Sequence, residues 1–176
     1  MGEAVSIVVC GPSGVGKSRV GAPLAAQLGL PFVEGDDLHP AANIAKMRTG
    51  VPLEDADRWP WLDALVARMV ATGPAVVTCS ALKRSYRDRL RAAGELRFVL
   101  LTAPAPELES RLATRPGHFF DPVLLADQLA TFEVPSDDET DVLVVSSVGD
   151  PDEVVGHVLD RLRASGAATA GGPARP

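Results

Sequence analysis

The stretch from Gly11 to Ser18 has the sequence Gly-Pro-Ser-Gly-Val-Gly-Lys-Ser, which matches the pattern G-x-x-x-x-G-K-[ST]. Glycines in such a loop let consecutive backbone N–H groups converge on phosphate oxygens, and a helix that follows adds the positive end of its dipole. The lysine of the pattern reaches the β- and γ-phosphates of a nucleotide, and its last hydroxyl is a ligand of Mg²⁺. The pattern predicts an ATP site at Gly11, Ser13, Gly14, Val15, Gly16, Lys17 and Ser18, with Ser18 as the metal ligand.

The loop has a plainer interpretation, a glycine-rich turn that only caps a helix. An apolar run, Ala4–Cys10, ends immediately before the loop, and a helical pattern follows it. This strand–loop–helix context is the one in which the pattern binds phosphate, so nucleotide binding is the firmer prediction.

A second polar stretch, Glu34-Gly35-Asp36-Asp37-Leu38-His39-Pro40, follows another apolar run. In an open α/β sheet, residues just after a strand face the crevice where ligands bind. A carboxylate there can accept the proton of a substrate hydroxyl while a phosphoryl group is transferred, and Asp36 is the candidate for this base. The alternative is that Asp36 and Asp37 only cap the helix that follows.

The phosphate-binding loop alone does not separate a kinase from a GTPase switch or a motor ATPase. A guanine-reading N-K-x-D segment is missing, and Asn43-Ile44-Ala45-Lys46 does not supply one. A motor ATPase usually has an acidic residue at the end of a hydrophobic strand, whereas the run Ala75–Cys79 is followed by Ser80. These absences favour a small kinase.

Five short, continuously apolar runs alternate with helical patterns along the chain. Continuous runs of this kind are typical of parallel strands that are covered on both faces, and strands alternating with helices predict a doubly wound α/β sheet. The runs are Ala4–Cys10, Pro31–Val33, Ala75–Cys79, Arg97–Leu101 and Val142–Val145. Apolar residues repeat every fourth position in two of the intervening helices, at Val20, Leu24 and Leu28, and at Leu62, Val66 and Val70 with Leu65 and Met69 beside them.

The composition is that of an ordinary globular domain, with 46% hydrophobic and 23% charged residues in a chain of 176. We expect one domain over residues 1–164 and a disordered tail over 165–176, since the tail has no large apolar residue. A net charge of −6 excludes a general basic surface, so neither nucleic acid nor a membrane is an expected partner. Two cysteines are too few for a disulfide scaffold, which favours a reduced, cytoplasmic protein.

Several longer blocks of sequence resemble the gluconokinase family of small P-loop kinases. The similarity extends over about residues 5–160 in uninterrupted order. Its blocks are Gly35–Pro40, Asn43–Met47, Gly50–Leu53, Asp57-Arg58, Pro60–Leu62, Cys79–Lys83, Tyr86–Asp88, Leu90-Arg91, Glu109–Leu112, Arg115, Gly117–Phe120, Pro135 and Asp138-Glu139.

The resemblance implies ATP-dependent phosphorylation of D-gluconate at its 6-hydroxyl, with Mg²⁺, by a homodimer. It also implies a three-layer α/β/α fold with a five-stranded parallel sheet, like that of nucleoside monophosphate kinases. A substrate-binding segment near residues 38–70 and a mobile lid near 111–132 belong to that architecture. A related kinase for another acceptor, such as shikimate, and a nucleotide-binding module without catalysis are the alternatives.

Gluconate has a carboxylate at one end and a primary alcohol at the other, so its recognition needs cations, hydrogen-bonding groups and a base. We predict catalytic roles for Asp36, Lys17 and Arg58. The predicted substrate-binding residues are Asp36, His39, Lys46, Arg58, Trp61, Ser80, Arg84 and His118. For Trp61 the alternative interpretation is that the ring packs in the hydrophobic core and does not contact the substrate.

Two groups of basic residues have competing interpretations. Arg111 and Arg115 fall in the segment that resembles a lid, where they are predicted to close over ATP; surface salt bridges are the alternative. Lys83, Arg87 and Arg91 recur at helical spacing, which predicts a solvated, ion-paired helix face.

Overall fold

The computed structural model describes residues 5–114 and 122–166. Five parallel strands form one sheet in the order β2-β3-β1-β4-β5. Their bounds are β1 Ser6–Cys10, β2 Phe32–Val33, β3 Val76–Cys79, β4 Leu96–Thr102 and β5 Val142–Ser146. The predicted five-stranded parallel sheet is therefore confirmed, with strand ends that differ from the apolar runs by one or two residues.

Helices connect the strands and cover the sheet. A short 3-10 helix, Gly35–Leu38, directly follows β2. The α-helices of the described part are α1 Lys17–Leu28, α2 Ala41–Arg48, α3 Asp55–Thr72, α4 Arg84–Arg91, α5 Ala105–Ala113, α6 Pro122–Thr131 and α7 Pro151–Ala164.

The core lies on both faces of the sheet, because alternate residues of a strand point to opposite sides. In the central strand β1, Ile7 and Val9 pack in the cluster that contains residues of α1, α5 and α7. Val8 and Cys10 pack in the other cluster, with residues of α3 and α4. This arrangement is the predicted three-layer α/β/α fold.

The two predicted helix stripes have different outcomes. Val20, Leu24 and Leu28 of α1 are all buried, as expected. In α3, however, Val70 is 63% exposed and the buried stripe passes through Met69 instead. Residues four apart advance about 40° around a helix at each step, so Val70 lies about 80° from Leu62 and outside the narrower buried stripe of α3.

The prediction of a solvated basic face on α4 is wrong for Arg87. Its side chain is fully buried and makes a bidentate ion pair with Glu139, at 2.7 and 2.8 Å. The chain after α6 covers this side of α4, and the helical spacing of the basic residues did not indicate that a distant segment would pack there. Arg91 also reaches Glu139 and, through the same guanidinium, Asp141.

Four sequence predictions concern residues outside the described ranges: the roles of Arg115 and His118, the part of the predicted lid at residues 115–121, and most of the tail, residues 167–176. Within residues 5–114 and 122–166, no helix combines the length and apolar character needed to cross a membrane.

Candidate active site

The phosphate-binding loop joins β1 to α1 at the carboxyl edge of the sheet. Gly11 has a φ of 139°, and a Cβ there would lie 2.5 Å from the Leu101 carbonyl oxygen, so glycine is required. Helix α1 begins without a side-chain cap and without an acidic residue in its first turn. Its first N–H groups and dipole are therefore available to an anion such as a phosphate.

The predicted residues of the loop divide between the cleft and the core. Ser13, Gly14, Gly16, Lys17 and Ser18 line a cleft of about 720 Å³, a size usual for small-molecule sites. Val15 instead has a fully buried side chain that packs in the core. It can face a nucleotide only through its backbone, which agrees with the tolerance of this pattern for any side chain at that position.

Lys17 is folded back on its own loop. Its Nζ donates to the carbonyl oxygens of Gly11 and Pro12, both at 3.1 Å. These contacts hold the ammonium group over the loop. When a triphosphate binds there, its charged oxygens would take the place of the two carbonyl oxygens as hydrogen-bond acceptors of Lys17.

Glu34, at the end of β2, is a site residue that the sequence interpretation missed. Ser18 Oγ donates to its Oε2 at 2.5 Å, and the Thr78 hydroxyl of β3 donates to its Oε1. Hydroxyl and carboxylate oxygens are the ligands that Mg²⁺ prefers, so Ser18 and Glu34 form a suitable donor pair. An acidic residue directly after a short strand that neighbours β3 is the signal that could have identified it.

Asp36 is placed by the close approach of Gly35 to β3. A Cβ on Gly35 would lie 1.9 Å from the Thr78 carbonyl oxygen, so only glycine allows this contact. Gly35 N also donates to Thr78 Oγ1 at 3.0 Å, and Trp61 Nε1 donates to Gly35 O at 2.8 Å. The neighbouring Asp36 side chain is 69% exposed and lines the cleft, as a base that meets an incoming alcohol must.

His39 lies against the acceptor side of the cleft as a neutral imidazole. Its ring stacks on Trp61, with centroids 4.1 Å apart, and burial lowers its pKa to about 4. Asn43 Nδ2 donates to Asp57 O at 2.9 Å, which fixes the orientation of the amide, and the same group lies 3.3 Å from His39 Nδ1. His39 Nδ1 is thus an acceptor, and its proton is on Nε2, 3.9 Å from Asp36 Oδ1.

Arg58 supplies a buried cation to the same wall. Its Nε donates to Leu53 O at 3.3 Å and its Nη1 to Ser80 Oγ at 3.4 Å, while its guanidinium lies 5.7 Å from the centre of the Tyr86 ring. Nη2 makes no hydrogen bond with any described residue, and Arg58 lines the cleft together with Ser80. A planar guanidinium held in this way is suited to bind a carboxylate or hydroxyl group.

Three predicted substrate-binding residues do not line the cleft. Lys46 makes a bidentate contact with Asp57, at 2.7 and 2.8 Å. Arg84 makes a bidentate contact with Asp138, at 2.7 and 2.9 Å, on the outside of α4. Trp61 is 1% exposed, so its core alternative describes its position, and it reaches the site only through His39.

Arg48, which the sequence interpretation did not single out, lines the cleft at the end of α2. It makes no ion pair with a described residue. Its position brings a second cation to the acceptor side, where Lys46 was expected.

Arg111 of α5 lines the nucleotide side of the cleft. It forms a surface ion pair with Glu107 at 2.8 Å, as the alternative interpretation predicted. Its guanidinium also donates to Val15 O at 3.4 Å and to Ser147 O at 2.9 Å. Arg111 thus connects the back of the phosphate-binding loop to the chain after β5.

Comparisons with known proteins agree with this geometry. A family model described as "AAA domain" matches residues 7–135. A gluconokinase of Gluconobacter oxydans is 49% identical over 163 residues, which cover 90% of this chain and 91% of the relative. The crystal structure of a gluconokinase from Sinorhizobium meliloti 1021 is 48% identical, with a TM-score of 0.84 over 92% of this chain and 93% of that one.

A third comparison concerns the fold alone. Shikimate kinase from Aquifex aeolicus has a TM-score of 0.61 at 17% identity, over 92% of this chain and 98% of that one. The fold is thus that of P-loop kinases in general, while the identity above 40% over most of the length is to gluconokinases. The chain belongs to the gluconokinase family of P-loop kinases.

Proposed function

We propose that this protein transfers the γ-phosphoryl group of ATP to the 6-hydroxyl of D-gluconate, giving 6-phospho-D-gluconate and ADP. The observation that carries the proposal is one cleft with Lys17 and Ser18 on one wall and Asp36 and Arg58 on the other. The first pair suits a triphosphate, and the second suits an alcohol that also has an acid group. Family relatives named gluconokinase support the same substrate.

On the nucleotide side, the loop N–H groups and Lys17 would hold the β- and γ-phosphates. Ser18 and Glu34 would hold a Mg²⁺ ion, which supplies neutralisation of the phosphate charge when it is bound. Arg111, which lines the same cleft and donates to Val15 O of the loop, would contact the nucleotide as well.

On the acceptor side, Arg58 would bind gluconate through the guanidinium edge that faces the cleft, with Ser80 and His39 Nε2–H as further donors. The alcohol oxygen forms a bond to the γ-phosphorus while the bond to the β,γ-bridging oxygen breaks and ADP leaves. Asp36 accepts the proton of the alcohol. The residues that bind substrate thus orient the hydroxyl between the base and the phosphorus.

An acceptor panel tests the proposal. Purified protein receives Mg²⁺ and ATP with gluconate, with another sugar acid, with shikimate or with no acceptor, and ADP release is coupled to an optical readout while mass spectrometry identifies the product. We expect phosphogluconate as the main product and little ADP without an acceptor. Preferential phosphorylation of shikimate would overturn the substrate, and ATP binding without any product would favour the non-catalytic module.

We further propose a homodimer, which the resemblance implies, and a cytoplasmic location, which the cysteines support. Cys10 and Cys79 are both free and buried, and burial raises the pKa of each thiol, so neither is a reactive cysteine. Free thiols of this kind fit a reducing compartment.

A further inference from the structure

One residue of α6, Gln128, contacts the phosphate-binding loop directly. The Ser13 backbone N–H donates to Gln128 Oε1 at 2.8 Å, and Gln128 Nε2 donates to Ser13 Oγ at 3.0 Å. Both ends of the carboxamide are therefore occupied by a single loop residue. Gln128 and Ser13 both line the cleft, so this pair lies where a nucleotide would enter.

The Ser13 N–H belongs to the set of loop amides that a triphosphate would use as donors. A well-aligned N–H has one strong acceptor at a time. The Gln128 carbonyl oxygen and a phosphate oxygen therefore compete for the same hydrogen, and the charged phosphate is the stronger acceptor.

Helix α6 is held in place by a buried residue of its own and by the chain that follows it. Leu125 is buried in the same cluster as Val15, under the loop. After the helix, Glu133 N donates to Leu82 O at 2.9 Å and the Glu133 carboxylate accepts from Arg84 N at 2.7 Å. The helix is thus anchored to α4 at its end, and Gln128 is the polar contact between its middle and the loop.

We propose that Gln128 reversibly blocks the phosphate site by competing with a nucleotide for the Ser13 N–H. Without nucleotide, its carboxamide satisfies Ser13 and keeps α6 docked on the loop. A triphosphate takes over the Ser13 N–H, releases Gln128, and so makes the contact of α6 with the loop depend on the nucleotide. This inference rests on the proposed use of ATP at the loop. It goes beyond that proposal in assigning Gln128 a role, which is to lower the affinity of the protein for nucleotide.

Calorimetry in the presence of Mg²⁺ tests this competition by measuring nucleotide affinity. The probes are ADP and a non-hydrolysable ATP analogue. Gln128→Ala removes the competing acceptor, so we expect both probes to bind about three- to tenfold more tightly, the equivalent of one net hydrogen bond. Gln128→Met keeps the length of the side chain without the amide and should tighten binding similarly, which provides a second variant if the alanine variant folds poorly. Gln27→Ala, an exposed glutamine of α1, is the matched control and should bind like the parent.

Each other outcome overturns the proposal. Weaker binding by both Gln128 variants would make Gln128 a ligand of the bound nucleotide, and unchanged binding would make the contact irrelevant to affinity. Failure of the parent protein to bind either probe would instead refute the proposed ATP site, so the two proposals fail in distinguishable ways.

Discussion

Asp36 and Asp37 are adjacent carboxylates with different surroundings, and this difference separates a base from a helix cap. Asp36 lines the cleft, whereas Asp37 is exposed and does not. Neither side chain accepts a hydrogen bond from a described backbone N–H, so the capping alternative has no contact to support it. At this scale, the chemistry depends on which of two neighbouring side chains the 3-10 helix turns towards the cleft.

Asp36→Asn should lower kcat by about 100-fold or more, because an amide cannot accept the proton of the alcohol. The affinity for ATP should stay close to that of the parent, since Asp36 lies on the acceptor wall. Steady-state kinetics with gluconate and calorimetry with an ATP analogue measure the two effects. Asp37→Asn is the matched control; if both variants turned over like the parent, the base role would be wrong.

The lowered pKa of His39 leads us to expect that the stability of the protein depends on pH. Burial among Trp61 and neighbouring groups lowers its folded-state pKa from 6.5 to about 4; Asp36 opposes this shift and Arg58 adds to it. Between these two pH values the unfolded chain binds more protons, so stability is fully present above the unfolded pKa and falls as the pH decreases towards 4.

His39→Gln should therefore reduce the loss of unfolding free energy between about pH 7 and about pH 5. Urea denaturation of parent and variant at both pH values measures the difference. His157, which lies in α7, provides the control substitution. An identical pH dependence in parent and His39→Gln would show that the imidazole is not held neutral by the fold.

At the scale of elements, α4 is fastened to the chain that follows α6. Arg87 and Glu139 are fully buried, and this pair lowers the pKa of the Glu139 carboxyl. Arg87 Nη1 also donates to the carbonyl oxygens of Ala81 and Leu82, at 3.3 Å each. The pair thus connects the end of β3, where Ser80 meets Arg58, to the segment that anchors α6.

Arg87→Met should destabilise the protein by about 3–5 kcal/mol, because among the described residues it leaves only Arg91 as a partner for the buried Glu139 carboxylate. Chemical denaturation measures the change. Arg89→Met, on the same helix, is the matched control: its pair with Asp63 is about half exposed, so we expect a change within about 0.5 kcal/mol. Equal effects of the two substitutions would contradict the importance of the buried pair.

At the scale of the whole molecule, the strand order brings the two walls of the site together. β1 lies between β3 and β4, and β3 separates it from β2. Since all strands are parallel, the loop after β1, the 3-10 helix after β2 and Ser80 after β3 meet at one edge of the sheet. The cleft is a consequence of this order, with α2, α3, α5 and α6 completing its walls.

The resemblance to gluconokinases predicts a homodimer, so light scattering after size-exclusion chromatography should give about twice the chain mass of 18.4 kDa. Closed twofold dimers are the commonest soluble homo-oligomers, and the exposed apolar side chains of the chain, such as Val144 on the edge strand β5, provide surface that a partner could cover. A mass of one chain throughout a dilution series from high concentration would refute the dimer.

The phosphate-binding loop, the five strands, the Asp36 position and the family could all be inferred from the order of amino acids. The loop and the strands are local features: glycine spacing sets which backbone conformations are possible, and a continuous apolar run of strand length must be buried on both faces. Adjacent residues carry that information, whereas the family follows from the order of sequence blocks over about residues 5–160. None of these inferences needs a contact between distant residues.

Which charged groups meet depends on the folding of distant segments against one another. Lys46 is paired with Asp57 and Arg84 with Asp138, and Arg87 is buried, although their spacing suggested solvent or substrate. Gln128 reaches Ser13 from a position 115 residues away. Ion pairs and hydrogen bonds form between groups that are close in space. A sequence pattern shows where charges of one sign lie along the chain but not which opposite charge each will meet. The role of each charged residue could therefore be assigned only from the folded structure.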